Sequence, residues 1–476
     1  MGRMAQRTLI LAAGVGSGHN SAAHAVEQAL ATRGGGGEIR RLDVLDTTNE
    51  VFNRLYDDAY FTLVAEVPWL VGWGYDNQDP PFKLAPVMRW WEQINTTSTV
   101  REIRDFDPDL VICTHFLPAR LVSLMIARGH LETQLVVVTT DFDFQGLWLS
   151  TPISQMFVAR EETRAYLLSL GLPSDRVTTS GIPVRPEFSE SLDAADLRAR
   201  YGLGTERPVV LVSAGAAGGP RTLQVVRQVL ELPQDFEVVV VCGRNEDLKA
   251  QVEAVVGARP NYHVLGFTQE MPQLMRIASL FVGKPGGLSS SECMAAGLPM
   301  VIIDPIPGQE ERNANYLLEE GAAVRCNYST MVGYKVGQLL ADPQRLAAMA
   351  ANAARIGHAD AAATVVGDSL ALDGPLLWIS RDAQRMIQAK ANEGTEGSVN
   401  QPWERLRTLV DLRTGASMGL VGQSELVTLG GQPGSSELVV TKTQLRSLRW
   451  QPEYYTLATA GMWLLGDAES ATLGIR

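Results

Sequence analysis

The chain has 476 residues, 45% hydrophobic and 20% charged, which allows two or three domains with a sizeable core and argues against wholesale disorder. Its formal net charge of −12 excludes a broad nucleic-acid footprint and attraction of the whole surface to anionic lipid. Cys113, Cys242, Cys293 and Cys326 lack CxxC spacing and read as buried free thiols of a reducing compartment, with no zinc site.

Residues 9–13 form an apolar run too short for a signal-peptide core, and it leads straight into the glycine loop Gly14-Val-Gly-Ser-Gly18-His19. This predicts a first strand, then a helix over about 22–32 capped by Asn20 or Ser21. Asp43, after the strand-like 39–42, stands where a dinucleotide fold places its ribose acid, so an oxidoreductase is a rival for this segment. His19 is the sharpest candidate for chemistry: an imidazole near neutral pKa can take a proton from a hydroxyl, and it can equally cap a loop. No apolar run reaches the ~18 residues of a spanning helix, so any membrane contact is expected to be peripheral.

Residues 51–91 are rich in tryptophan, tyrosine and phenylalanine and broken by Pro68, Pro80, Pro81 and Pro86. Such amphipathic aromatics suit a lipid mouth or the core of a helical insertion, and the acidic excess there tempers the membrane reading. Strands are predicted at 108–113 and 135–139, each ending where side chains face the crevice of a parallel sheet. His115 and Asp141 follow them. Both are candidates for chemistry in that crevice, an imidazole and a carboxylate. Asp141-Phe142-Asp143 also matches the spacing of a metal–diphosphate site. A strand at 156–159, a helix at 161–170 and GIPVRP at 181–186 follow, with Arg185 suited to pairing with a diphosphate.

The second half opens on a strand at 208–213, a second glycine loop ending in Gly218-Gly219, and a helix at 222–230: a natural diphosphate cradle. Strands at 236–242 and 262–266 precede CGRN and the turn holding Phe267 and Thr268. The whole chain is organised around 280–324, which reads strand, glycine turn, helix, strand, glycine turn, helix. Lys284-Pro285-Gly286-Gly287 lets backbone approach a ligand, while Glu292 and Glu310 suit sugar hydroxyls. Beyond about 363 the helical signal ends. Residues 375–379 are expected to begin the last helix packing back on the first domain, and 391–476 read as linker and a small β-rich appendage with strands near 426–429 and 437–441.

KPGG, SE and PIPGQEERNAN, with the loop ending in GSGH, GIPVRP and CGRN, occur in order over roughly 7–350 and resemble glycosyltransferase family 28, most of all its diacylglycerol glycosyltransferases. The resemblance implies an α/β fold of GT-B architecture: an acceptor-binding Rossmann-like domain over 1–184, a UDP-sugar-binding one over 185–373, a cleft between them, and a C-terminal extension over 374–476. It implies an inverting transfer of a hexose from a UDP-sugar to a lipid, diacylglycerol foremost, at the inner face of the cytoplasmic membrane. The UDP-sugar is a co-substrate; no cofactor, metal or nucleic acid is implied. His19, Asp141 and His115 are then the catalytic candidates. Gly18, Arg185, Gly218, Gly219, Phe267, Thr268, Gly286, Gly287, Glu292, Gln309 and Glu310 are the substrate-binding ones, with the uracil near Phe267 and Thr268. The rivals are transfer to a soluble acceptor, a UDP-sugar epimerase or hydrolase, and a UDP-sugar sensor without catalysis.

Overall fold

The computed structural model describes residues 7–14, 18–34, 37–47, 97–215 and 221–393, and strand segments between 409 and 441. Two parallel six-stranded sheets dominate it. The first consists of β1 (Arg7–Ala12), β2 (Glu38–Asp43), β3 (Leu110–Cys113), β4 (Gln134–Val138), β5 (Gln155–Val158) and β6 (Val177–Thr179), in the order β2-β1-β3-β4-β5-β6. The second consists of β7 (Val209–Ser213), β8 (Glu237–Val241), β9 (Tyr262–Leu265), β10 (Leu280–Gly283), β11 (Met300–Ile302) and β12 (Ala323–Arg325), in the order β12-β11-β10-β7-β8-β9. This is the expected pair of Rossmann-like halves.

These runs become strands because they are apolar on both faces, as a parallel sheet covered by helices requires. In β1, Leu9 and Leu11 enter one core, which holds Val111, Val137 and Met156. Ile10 and Ala12 enter the other, with Val26, Leu30, Ile112 and Phe157. In the second sheet, Val210 and Val212 face one cluster, while Val209 and Leu211 face another. That last cluster crosses between the lobes, because it also holds Ala22, Phe142, Ile182 and Val184 of the first.

Helix Ala361–Leu370 returns to the first lobe earlier than expected. Its Val365 and Val366 are fully buried against the core around Ile10 and Val26, each worth about 1.5–3 kcal/mol of hydrophobic burial. Residues 375–379, expected to be helical, are extended instead: Trp378–Ile379 pairs antiparallel with Leu409–Asp411. The helix comes afterwards, at Arg381–Glu393, and buries Ala383 and Ile387 on the first lobe. Pro375 lacks a backbone N–H, which favours the extended start. The strands expected near 426–429 and 437–441 are present as the antiparallel pair Leu426–Leu429 and Leu438–Thr441.

No helix among the described residues is long and apolar enough to cross a membrane. The aromatic stretch 51–91 lies outside the described residues.

Candidate active site between the two lobes

In each sheet the strand order reverses beside the first strand, between β1 and β3 and between β7 and β10. Ligands of open parallel sheets bind outside the carboxyl ends at such points. His19 and Thr114–His115 follow β1 and β3 at the first reversal, and Lys284–Gly287 follows β10 at the second.

The helix expected from about residue 22 begins at Gly18, so His19 lies in its first turn. The expected cap by Asn20 is not made. Asn20 instead donates from Nδ2 to Asp43 Oδ2 at 2.7 Å, while Asp43 Oδ1 accepts from the backbone N–H groups of Gly14 (3.1 Å) and Leu45 (3.0 Å). A Cβ on Gly14 would stand 2.6 Å from Asp43 Oδ2, so a larger residue there would have to push that carboxylate out of its bonds. Both carboxylate oxygens are thus engaged by the chain itself, and Asp43 clasps the loop.

His19 Nδ1 lies 3.2 Å from the Thr114 carbonyl oxygen and 2.7 Å from Thr140 Oγ1. A carbonyl only accepts, so the network assigns the proton to Nδ1 and leaves the lone pair on Nε2. Burial pushes the imidazole down to about 4, against the upward pull of the Thr114 carbonyl and the Asp43 charge. The ring is therefore neutral near pH 7 and basic at Nε2. Its side chain is half-buried, at the seam between lobes.

His115 stands behind it, edge-on, with ring centroids 4.5 Å apart. Its Nδ1 accepts the backbone N–H of Leu117 at 3.0 Å and so caps helix Phe116–Ala127. Burial, then the neighbouring His19, holds His115 well below the usual histidine range. His115 thus packs and caps, with Nε2–H as its remaining polar group.

Asp141 is only 5% exposed. Its Oδ2 accepts from Trp148 Nε1 at 3.2 Å, and its Oδ1 is buried without a hydrogen-bond partner. Burial raises its carboxyl to about 7, the Trp148 hydrogen bond opposes this, Asp143 adds to it, and Arg312 of the other lobe lowers it. Asp143 pairs instead with Arg160. The two carboxylates of the DFD pattern therefore serve different partners.

On the second lobe, helix Gly287–Ala295 starts directly against the first lobe. A Cβ on Gly287 would overlap the Thr140 carbonyl oxygen, and one on Gly18 would lie 3.8 Å from Leu288 Cβ. Gly286 has more room, since a Cβ there would meet only Glu310 Oε1, at 3.7 Å. Glu310 Oε2 accepts the Ile306 N–H at 2.7 Å; burial raises its carboxyl, while that bond and Lys284 lower it. Gln309 opens helix Gln309–Glu319 beside it. Glu292, half-buried, is raised to about 7 by burial, with Arg185 pulling it down.

Arg185 donates from Nη1 to the Gln269 carbonyl at 2.7 Å, so it braces the turn that holds Phe267 and Thr268. Phe267 is 56% exposed with the Arg244 guanidinium 4.9 Å from its ring centroid; Thr268 Oγ1 accepts the Glu270 N–H at 3.0 Å. Gly218 and Gly219 lie outside the described residues. His19, Gly18, Gly286, Gly287 and Glu310 are brought to one seam, with Arg185, Glu292 and the 267–268 turn linked through Arg185.

Sequence reasoning missed the residues that join the lobes. Asn313, buried, accepts the Phe142 N–H at 3.4 Å and donates to the Pro285 carbonyl at 3.1 Å, tying the TDF turn to the KPGG turn. Phe142 stacks on Tyr316 at 4.9 Å between centroids, with the Arg160 guanidinium 4.9 Å from the Tyr316 ring. Within the second lobe, Arg221 pairs with Asp304, whose backbone sits at φ 43 in the left-handed region. The one advance signal was Asn313's place inside the PIPGQEERNAN motif.

Residues 19–184 match the family model for monogalactosyldiacylglycerol (MGDG) synthase, and 209–365 match the glycosyltransferase family 28 C-terminal domain. A processive diacylglycerol beta-glucosyltransferase of Bacillus subtilis (strain 168) is 30% identical over 269 residues, 56% of this chain and 70% of that relative. The chain belongs to glycosyltransferase family 28, in its diacylglycerol glycosyltransferase group. The enzyme of the same name from Bacillus licheniformis is 32% identical over 251 residues, 52% of this family 28 chain, and the match spans just under two thirds (65%) of that relative's length. Among solved structures, MurG of Acinetobacter baumannii matches with a TM-score of 0.50 at 19% identity, covering 77% of this chain and 100% of that one. That likeness shows the GT-B fold of this family 28 chain, whose two sheets face one another at their reversal points.

Proposed function

We propose that this protein transfers a hexose from a UDP-sugar to the free hydroxyl of diacylglycerol, with inversion at the anomeric carbon. The observation that carries this reading is His19: a neutral imidazole with Nδ1–H fixed by Thr114 and Thr140 and Nε2 left basic, one residue from the contact between Gly18 and the donor-lobe helix. The matched relatives are named for a beta-glucosyl product, and UDP-glucose is α-linked, which supports inversion.

In this mechanism the acceptor hydroxyl gives its proton to His19 Nε2 as its oxygen attacks the anomeric carbon. The bond from that carbon to the UDP oxygen breaks on the opposite face. The leaving diphosphate is met by the free N–H groups of the first turn of helix Gly287–Ala295 and by its dipole. Glu292, Gln309 and Glu310 hold sugar hydroxyls, and Arg185 holds the base-binding turn in place. Asp141, with burial favouring its neutral form, serves as a hydrogen-bonding group on the acceptor side in preference to the base. Fixing both substrates across one seam supplies much of the rate.

The test is UDP release from UDP-glucose, and separately from UDP-galactose, with and without diacylglycerol vesicles. Release that requires the lipid supports the reading. Release without lipid indicates a hydrolase or epimerase, and saturable UDP binding without release indicates a sensor.

A further inference from the structure

Arg221 and Asp304 form an ion pair at the carboxyl end of the second sheet, with Arg221 donating from Nη1 to Asp304 Oδ1. Asp304 follows β11, and Arg221 stands between β7 and helix Thr222–Leu230. In the sheet order β10 lies between those two strands, so their exits are two strand spacings apart, roughly 9–10 Å. The pair thus links the two strands that flank the exit of β10, where Lys284 opens the KPGG turn. The reversal point of this sheet, between β7 and β10, is at the same place. In the sequence Arg221 comes just after the second glycine loop, 214–219.

Local structure does not explain the conformation of Asp304. Two non-glycine residues among the described ones have positive φ, Asp107 (47) and Asp304 (43). Asp107 ends helix Thr97–Phe106, and its N–H bonds the Ile103 carbonyl at 3.0 Å, as in an ordinary left-handed cap. Asp304 follows a strand and ends no helix. A Cβ disfavours left-handed backbone there, although aspartate and asparagine tolerate it better than most residues. Its carboxylate goes to a cation that remains half exposed: the two side chains are 54% (Arg221) and 27% (Asp304) exposed, so water screens their attraction. Strained backbone carrying a weak pair marks a functional constraint rather than a structural brace.

The surrounding charges show what the pair can exchange for. The turn after β11 sets a carboxylate against each of two cations. Asp304 holds Arg221. Burial raises the Glu310 carboxyl, and Lys284, exposed and close by, lowers it. Arg221 and Lys284 follow β7 and β10, the strands on either side of the reversal point. A guanidinium that binds a carboxylate can bind a phosphate through the same fork of N–H groups, and a diphosphate carries more charge than one carboxylate.

We propose that Arg221 is a further donor-binding residue, which grips the diphosphate of the UDP-sugar, and that Asp304 competes with the diphosphate for the same guanidinium. The proposal deepens the UDP-sugar reading of the cleft and rests on it. The competition also bears on turnover. A carboxylate that reclaims Arg221 after transfer loosens the hold on UDP and favours its release.

The test compares binding of UDP, by calorimetry, with binding of uridine, by ligand-observed NMR, on the full chain. The variants are Arg221→Gln, Arg221→Lys, Asp304→Asn and the double variant Arg221→Gln, Asp304→Asn, with melting curves to confirm that each folds. Arg221→Gln should weaken UDP roughly 10-fold or more and leave uridine unchanged, and Arg221→Lys, which keeps the charge, should recover part of that loss. Asp304→Asn keeps the size and the tolerance of left-handed backbone but removes the competing charge, so it should tighten UDP by about 2- to 5-fold, again without effect on uridine. In the Arg221→Gln background the Asp304→Asn change should have no effect on UDP. The opposite signs separate competition from bracing, because loss of a brace weakens binding from either side. Unchanged UDP affinity in Arg221→Gln, equal losses for UDP and uridine, or unchanged or weaker UDP binding by Asp304→Asn overturns the proposal. Wild type that binds no UDP would instead overturn the donor reading beneath it.

Discussion

Gly287→Ala probes the closeness of the two lobes. The added Cβ would stand 3.4 Å from the Thr140 carbonyl carbon, 3.5 Å from Ile182 Cδ1, and nearer still to the Thr140 carbonyl oxygen. The obstacle is backbone, which cannot swing aside as a side chain does. Thr140 is also held through its hydroxyl to His19, so displacing it displaces the base. Relief requires the helix start and the TDF turn to part by roughly 1 Å, a misplacement that costs on the order of 100-fold in rate. Steady-state transfer kinetics should show that loss in kcat/KM. UDP affinity measured by calorimetry should weaken as well, because the displaced helix start is the one proposed to meet the diphosphate. The melting temperature should fall too, because Ile182 belongs to the core cluster that crosses between the lobes. A variant with wild-type kcat/KM would refute the claim that catalysis uses this approach of the lobes.

His19→Ala should lower kcat by about 10²–10⁴ while leaving UDP affinity nearly unchanged, as read by steady-state kinetics and calorimetry. Because burial holds the free His19 near 4, the acid limb of kcat/KM should fall near that pH. The bound diphosphate's negative charge should raise it, so the acid limb of kcat should lie at higher pH. Asn313→Ala leaves the Phe142 N–H and the Pro285 carbonyl without their partner, and should cost about 1–3 kcal/mol in denaturant unfolding with a fall in kcat. Glu292 binds its proton more tightly folded (about 7) than at its ordinary 4.5, so its contribution to stability is present below the ordinary value and is lost as pH rises through the folded one. Glu292→Gln should therefore show a smaller fall in melting temperature between about pH 5 and about pH 8 than wild type.

Local structure was largely legible because its causes are local. The apolar runs that become β7, β8 and β10 are continuous, valine-rich in the first two, and ended by turn residues, which is what a doubly covered parallel strand needs. The helix expected at 222–230 and the one expected at 161–170 formed within a residue of their bounds. The errors came where one side chain had two possible partners. Asn20 is a good helix cap by type, yet its amide goes to Asp43, and the helix starts at Gly18 instead. Residues 375–379 are apolar enough for either a helix or a strand, and pairing with 409–411 decides it. The lobe-joining contacts were invisible for a different reason. Asn313 meets Phe142 across 171 positions of chain, and nothing in the neighbours of either residue records that meeting. The tautomer of His19 likewise depends on Thr114 and Thr140, far from it in sequence.

The most direct measurement is analysis of the lipid recovered after incubating the purified protein with UDP-glucose, or with UDP-galactose, and diacylglycerol vesicles. Mass spectrometry identifies the product and proton NMR its anomeric configuration. The account predicts a β-linked hexosyl-diacylglycerol with one of the two donors, formed at least about 100-fold more slowly with His19→Ala. Recovery of unmodified diacylglycerol from both reactions, under conditions where UDP binds, would contradict it, and an α-linked product would contradict the inverting mechanism.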